Sequence, residues 1–545
     1  MKKNHFIIPI AAIVLIALVP ACSKKLDLSP TNGITADSVY KTPLGYKSAL
    51  AKVYGAMATT GQSGGTGSAD IPSQILSDEG NSDFLRGFWY LQTLSTDEAG
   101  WTYHNNTDPL GIHQFTWSSI NQTVAGAYYR SMFQITLCND FIKHSTDAIL
   151  SSKGFKASDV ADIKKYRAEA RFLRAFQYWL LMDMFANPPF VDENTPIASG
   201  LPKQISRKDL FRYIVNELKA IDADLAAPKT NEWGRADQAA EWALLSRMYL
   251  NAQVYEDPNY NSTYPTSIVP NTVFDTAIIY CNKVIAAGYQ LHSKYSELML
   301  ADNNLNTDEF IFVIPYDGTH TQTWGGTTTL VHGPAGVPGS ISGTNGTWGC
   351  IRITQQFVGL FDTADHRSQF YTNGQNLIMT NLLDVTTDGY SSTKFRNVTR
   401  SNGPAPDRDP GGNFSDVDFP LFRLGEIYLT YAEAILRGGN GGNLSTAWGY
   451  INALRARGYI YSSGNINLSD LTLDFIINER ARELFWEGLR RTDLIRYNKF
   501  TTGSYLWAWK GGVASGTQVD SKYNIFPIPS TDLTANPNLV QNPGY

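Results

Sequence analysis

The chain has 545 residues, a formal net charge of −5, 43% apolar residues and only 17% charged ones. A mildly acidic balance leaves no electrostatic footprint for nucleic acid, and at about 150 residues per domain the length would supply material for three. Aromatic residues reach 12%, with 29 Tyr, 26 Phe and 12 Trp; amphipathic rings in such numbers suit surfaces that are part wet and part apolar, as well as core packing.

In chain order, Lys2 and Lys3 precede an almost unbroken apolar run from Phe6 to Val19, and Pro20-Ala21 leads into Cys22. A positive start, a short apolar stretch and a small residue at the cut describe a secretory signal over residues 1–21. The run is shorter than the roughly 20 residues that span a bilayer. A cysteine directly after the small residue resembles the lipobox of bacterial lipoproteins, which implies acyl chains on Cys22 and a body held to the membrane through that lipid. Residues 22–35 read as a tether. Cys138, Cys281 and Cys350 match neither zinc nor CxxC spacing and imply buried free thiols rather than a disulfide framework.

Helical periodicity begins at residues 36–57, where Tyr46, Leu50 and Val53 share a face. A Gly/Ser/Thr-rich loop over 59–68 and a mixed aromatic region over 71–117 follow. Further helices are predicted over 124–150, 159–185, 210–225, 236–251 and 274–287. The second of these carries a wide stripe of Phe172, Leu173, Phe176, Trp179 and Leu180, stopped by Asn187-Pro188-Pro189. Residues 309–315 read as a strand. A long insertion over 316–349 and an irregular region over 375–418 precede helices at 424–437, 446–457 and 473–488. Paired helices of similar length predict a mostly α chain, a tetratricopeptide-like scaffold of helical hairpins with long irregular loops and a few short strands.

Several segments carry a specific likeness. From Glu169 the chain reads Glu-Ala-Arg-Phe-Leu-Arg-Ala-Phe-Gln-Tyr-Trp-Leu-Leu-Met-Asp-Met-Phe. Later come Leu421-Phe422-Arg423-Leu424-Gly425-Glu426, then Asn452-Ala453-Leu454-Arg455-Ala456-Arg457. Asn478-Glu479-Arg480 through Glu487-Gly488-Leu489-Arg490-Arg491-Thr492-Asp493 follows, and the tail holds Pro527-Ile528-Pro529. In this order they resemble the SusD/RagB family of outer-membrane glycan-binding lipoproteins, over nearly the whole mature chain. Their physical reading is mostly structural: Glu479, Arg480, Arg482 and Glu483 are charge pairs at helical spacing, and Arg490 is expected to pair with Asp493 three residues on.

The resemblance implies a body over 36–545, with a helical scaffold mainly in 36–60, 120–300 and 420–490 and a ligand-binding part in 61–119 and 301–419. It implies a cell-surface, lipid-anchored protein of the outer membrane. Such a protein binds an oligosaccharide and delivers it to a SusC-like TonB-dependent transporter, without enzymatic activity or cofactor. Residues 91–99 resemble the approach to the family's binding loop, which nominates Trp101, Tyr103, Asn105 and Asn106. The long insertion adds Tyr316, Trp324 and Trp348, with Arg352 just beyond. These types suit a sugar: its C–H face packs on an aromatic ring, where covering roughly 50 Å² contributes about 1 kcal/mol, and its hydroxyls need donors and acceptors that Asn and Arg supply.

Other chemistry is weaker. Gly61-Gln62-Ser63-Gly64-Gly65 matches G-x-S-x-G but follows a helix end, whereas a nucleophile elbow follows a buried strand. Asp302, Asn304, Asn306 and Asp308 alternate like a calcium loop that has Thr307 where glycine is required. Asp97 and Glu98 are adjacent, and a glycosidase needs its carboxylates about 5–9.5 Å apart across a bond. The competing readings are a lipid-anchored glycoside hydrolase and a peptide-binding or purely structural subunit of the transporter.

Overall fold

Polar caps set where the helices begin. The computed structural model describes residues 36–62, 64–66, 69–196, 200–257, 270–383, 387–459 and 461–545; the signal peptide, the tether, Cys22 and Ser63 lie outside them. Thr42 opens α1 (Pro43–Ala58), its hydroxyl accepting the Gly45 N–H, with Pro43 where a missing amide costs nothing. Asp83 caps α2 (Phe84–Trp89), α3 (Thr107–Gln114) follows, and Asn121 caps α4 (Gln122–His144). The longest is α5 (Ala157–Phe185), whose C-terminal half is buried on every face, as its all-round apolar sequence requires. Then come α6 (Arg207–Ile221), α7 (Gln238–Leu250) and α8 (Thr272–Ala286). The short α9 (Gly326–His332) lies in the long insertion. Later come α10 (Leu424–Leu436), α11 (Leu444–Gly458), α12 (Leu473–Leu484) and α13 (Arg490–Arg496), with a last short helix over Ser530–Ala535.

Neighbouring helices pack in succession: α4 on α5, α5 on α6, α7 on α8, α8 on α10, and α10 on α11 and α12, with α1 against α4 and α5. This is the mostly α, hairpin-based architecture that the periodicity predicts. The strands are short and pair antiparallel: β1 (Gly100–Trp101) with β3 (Ile351–Arg352), β2 (Phe310–Ile314) with β6 (Phe419–Arg423), and β4 (Phe370–Tyr371) with β5 (Ser391–Ser392). Among the described residues no helix is long and apolar enough to cross a membrane. The three cysteines are free and buried. Pro527-Ile528-Pro529 runs extended against the helices, with the Phe526 N–H on the Met184 carbonyl at 2.7 Å.

The helix predicted over 473–488 ends earlier, at Leu484, and a new one starts at Arg490. It breaks because Trp486 and Gly488 take positive φ, +64° and +74°. Glu98 accepts both Trp486 donors, the backbone N–H on Oε2 and the indole N–H on its carbonyl, each at 3.0 Å. A Cβ on Gly488 would lie 2.4 Å from the Phe88 ring, so glycine serves both the backbone conformation and the close approach.

Below the loops lies a buried ion network. Arg423 reaches Glu309, Glu483 and Glu487 at 2.7–2.8 Å. Arg367 reaches Asp365, Glu479 and Glu483, Lys394 reaches Glu487 at 2.6 Å, and Arg457 touches Glu309 and Glu483. Buried charges persist only when paired and hydrogen-bonded, and these are. Burial would raise the Glu479 carboxyl; Arg367, Arg482 and Arg455 overcome it and hold it down to about 2. One expectation is corrected: Arg490 does not pair with Asp493. It forks onto Asp97 with two bonds of 2.8 Å, while Asp493 receives Arg480 and Arg496 at 2.7 Å each.

Candidate ligand-binding site

The β1–β3 pair sets Trp101 opposite Ile351 and Gly100 opposite Arg352, so the loop after β1 meets the end of the long insertion. The Thr102 N–H donates to the Cys350 carbonyl at 2.9 Å, and the Tyr103 hydroxyl donates to the Trp348 carbonyl. Trp348 faces Trp324, with ring centroids 6.3 Å apart and planes inclined at 52°. Tyr103 is 40% exposed, and both tryptophans are half-buried. Two of the nominated rings therefore meet, and Tyr103 joins them through its hydroxyl on the Trp348 backbone. Asn105 is exposed beside it, and Asn106 is half-buried at the start of α3.

Three nominated residues do not present a ligand surface, and each is a correction. Trp101 is 3% exposed; it packs edge-on against Tyr90 and gives its indole N–H to the Tyr103 carbonyl at 3.1 Å. A ring covered on both faces cannot stack on a sugar, and its role is to support Tyr103. Tyr316 is buried with its ring filling the space over Gly326, where a Cβ would lie 2.6 Å away. Arg352 is fully buried, donating to the Ala335 carbonyl at 3.1 Å and to Ser391 Oγ at 3.3 Å, and burial lowers its pKa to about 10.

The turn bearing Trp324 is fixed by residues that the sequence reading missed. Glu79 Oε2 accepts the Trp324 N–H at 3.0 Å, and Glu79 Oε1 accepts the Thr323 hydroxyl at 2.9 Å. Asp83, the α2 cap, also accepts the Gly326 N–H at 2.7 Å. Its burial raises the carboxyl to about 6, against the pull of the Arg86 and Gly326 amides. The indole N–H of Trp324 donates to the Gly65 carbonyl at 3.0 Å. Arg86 runs beneath, its Nη1 3.5 Å from the Trp324 carbonyl and 3.4 Å from Asp78, whose side chain reaches solvent. The signal available in sequence was Asp78-Glu79 beside Asp83 and Arg86, a polar run ahead of an apolar helix; nothing local ties it to a turn some 240 positions later.

Trp348 is held from below by α9. Its N–H donates to the His332 carbonyl at 2.6 Å, and its ring stacks on the His332 imidazole, centroids 5.0 Å apart at 14°. The two indoles are thus held through backbone contacts and remain half-buried. Among the described residues, those named for the calcium and paired-carboxylate readings are otherwise engaged, and Ser63 lies outside them. Arg400 fills the supposed calcium loop, bonding Asp302 and Asn306 at 3.1 Å each. Asp97 and Glu98 are committed to Arg490 and Trp486. A separate cavity of about 290 Å³ lies between α1 and β2, lined mainly by apolar groups such as Leu50, Met57, Phe312 and Ile314, with Lys47, Glu232 and Arg235 also on its wall.

Comparison with known proteins agrees with this architecture. A SusD family profile matches residues 368–545. The chain is 34% identical to the starch-binding protein SusD of Bacteroides thetaiotaomicron, over all of both chains. It is 24% identical to a SusD-like protein of Bacteroides ovatus, over 71% of this chain and 68% of that one. Among solved structures, surface glycan-binding protein A of Bacteroides thetaiotaomicron, in complex with laminarihexaose, superposes with a TM-score of 0.67 at 20% identity, covering 91% of this chain and 98% of its own. The Bacteroides fluxus counterpart gives 0.68 at 19%, covering 92% and 100%. SusD and the two surface glycan-binding proteins are named for binding and not for catalysis.

Proposed function

The chain belongs to the SusD family, and from that premise we propose that it captures an oligosaccharide on the Tyr103–Trp324–Trp348 cluster and hands it to a SusC-like TonB-dependent transporter. The observation that carries this reading is the pair of inclined indoles, half-exposed and pinned through their backbones, in the loop-rich part of the chain. Two ring faces at 52° offer neighbouring sugars a curved wall. Asn105, Asn106 and the exposed Asp78 carboxylate supply donors and acceptors around it. A few such contacts give a dissociation constant of about a millimolar to a micromolar, which suits capture followed by release.

Acylation of Cys22 would hold the protein at the outer face of the outer membrane, beside its transporter. The names of two relatives choose the first probes. The full-length protein is titrated with soluble starch and with laminarihexaose, and the mixtures are examined for shorter products. Saturable binding without cleavage supports capture. New reducing ends would establish the hydrolase reading, and binding to neither probe nor to a glycan array would favour the peptide-binding or structural subunit.

A further inference from the structure

His332 closes α9 directly beneath Trp348, and we propose that it is a positioning residue that couples the glycan affinity of this site to pH. The inference rests on the reading of the Tyr103–Trp324–Trp348 cluster as the glycan platform.

The geometry is unusual for a neutral histidine. The side chain is 2% exposed. Its Nδ1 lies 2.7 Å from the Gly346 carbonyl oxygen and its Nε2 lies 2.7 Å from the Asn413 carbonyl oxygen. A neutral imidazole has one N–H, and its other nitrogen is an acceptor. One of the two contacts therefore sets a lone pair against a lone pair until a proton arrives. Protonation turns both into hydrogen bonds and locks together the segments that flank Trp348 and the turn at Asn413. The same ring stacks on the indole of Trp348, so the imidazolium also gains a cation–π contact. It sits at the C-terminus of α9, the end of a helix that favours positive charge.

Of the elements packed against α9, α2 brings the buried Arg86 and its cap Asp83, which accepts the Gly326 N–H at the far end of α9. The rest of α9 and residues 346–349 carry no titratable side chain. The thiol of Cys350 is pushed up by burial to about 12 and stays neutral. On the facing turn, buried Asp409 pulls the imidazole upward and organises the loop by accepting the Asn413 and Phe414 amides; Arg408 is exposed, and Asp416 is engaged by the Gly318 and Asp407 amides. Burial outweighs the two carbonyls and Asp409 and holds the free protein's His332 below the ordinary histidine range. A sugar on the outer face of Trp348 presses the indole onto the imidazole and fixes the seat that retains the proton. By linkage the complex binds that proton more tightly than the free protein does. Affinity therefore rises as pH falls through the His332 titration.

Two measurements test this on the full-length protein, each comparing wild type with His332→Phe, which keeps a stacked ring, and with His332→Gln, which keeps one donor but cannot titrate. The first needs no glycan: tryptophan fluorescence is followed from pH 8 to pH 4.5, where an imidazolium against Trp348 quenches it. A titrating component present in wild type and absent from both variants is expected. The second is the affinity for soluble starch and laminarihexaose over the same range. Wild type should tighten by about fivefold on acidification, the factor of one net hydrogen bond, while both variants stay flat. A wild-type-minus-variant fluorescence difference that does not change with pH overturns the inference, as does wild-type binding whose pH profile matches that of the variants. If wild type binds neither probe at any pH, the platform reading fails instead, and the fluorescence arm still decides whether His332 titrates against Trp348. Melting curves confirm that the variants are folded, and His332→Gln serves should His332→Phe not fold.

Discussion

Replacing Trp324 and Trp348 by alanine, singly and together, tests the platform most directly. The centroids are 6.3 Å apart and the planes inclined at 52°, too far and too steep for both rings to cover one sugar face, so each is assigned its own. Covering roughly 50 Å² of C–H surface at about 25 cal/mol per Å² gives about 1.2 kcal/mol per ring, or about eightfold in affinity. Two independent losses would amount to about 60-fold. Rings in contact couple, however: Trp348→Ala also removes the surface against which Trp324 leans, so the double variant should fall short of the product. Calorimetric titration with soluble starch and laminarihexaose reads the affinities. Trp448, half-buried on α11 with its indole N–H on the Ile466 carbonyl, provides an alanine control outside the cluster. The reasoning is refuted if both single variants stay folded and bind within twofold of wild type.

Trp101→Ala should behave differently: the side chain is 3% exposed among Tyr90 and Tyr103, so the unfolding free energy should drop by about 3–5 kcal/mol, measured by denaturant titration, with any affinity loss following from a displaced Tyr103. Glu483→Gln leaves Arg423, Arg457 and Arg367 short of a fully buried carboxylate and should cost about 3–5 kcal/mol. Glu232→Gln, at the exposed Lys47 pair, should cost under about 1 kcal/mol. The pH profile of stability follows from opposed groups. Burial, with Asp97 beside it, raises Glu98 to about 8; burial raises Asp418 to about 7 and Asp83 to about 6. The folded chain therefore holds protons there that the unfolded chain releases, and stability grows as pH falls from about 8 towards about 5. Glu479, held at about 2, contributes above its unfolded value and loses that contribution as pH falls from about 4.5 towards 2. Melting temperature should peak near pH 5; a peak above pH 7 would contradict these shifts.

The scaffold was legible because local rules decide it. The stripe ending at Asn187-Pro188-Pro189 became α5 with boundaries close to those read from the sequence, and the apolar run at 309–315 became β2. The site was legible only in part. Residue type pointed to rings in the loops, but which faces stay open depends on pairings across hundreds of residues. Trp101 and Tyr103 are two apart, yet only Tyr103 reaches the surface, because the β1–β3 register turns Trp101 towards Tyr90. Arg490 paired with Asp97, not with its helical neighbour Asp493, for the same reason: the partner came from a distant segment.

That long-range wiring links the motif-rich C-terminal helices to the loop-rich part that carries the candidate site. Glu309, Arg367 and Lys394 come from the loop-rich part of the chain, and all three join a network built on Arg423, Arg457, Glu479, Glu483 and Glu487. A long loop cannot bury enough apolar surface to order itself, since fixing each residue costs about 1–2 kcal/mol of backbone entropy. Pinning it at a few points to a buried, fully paired charge cluster shortens the free spans and fixes their register. The cluster tolerates little rearrangement, because a cation displaced from it would be left buried and unpaired. The ionic core therefore converts the rigidity of α10 to α12 into order in the segments beyond, where Glu79, Asp83 and His332 complete the placement of the two indoles.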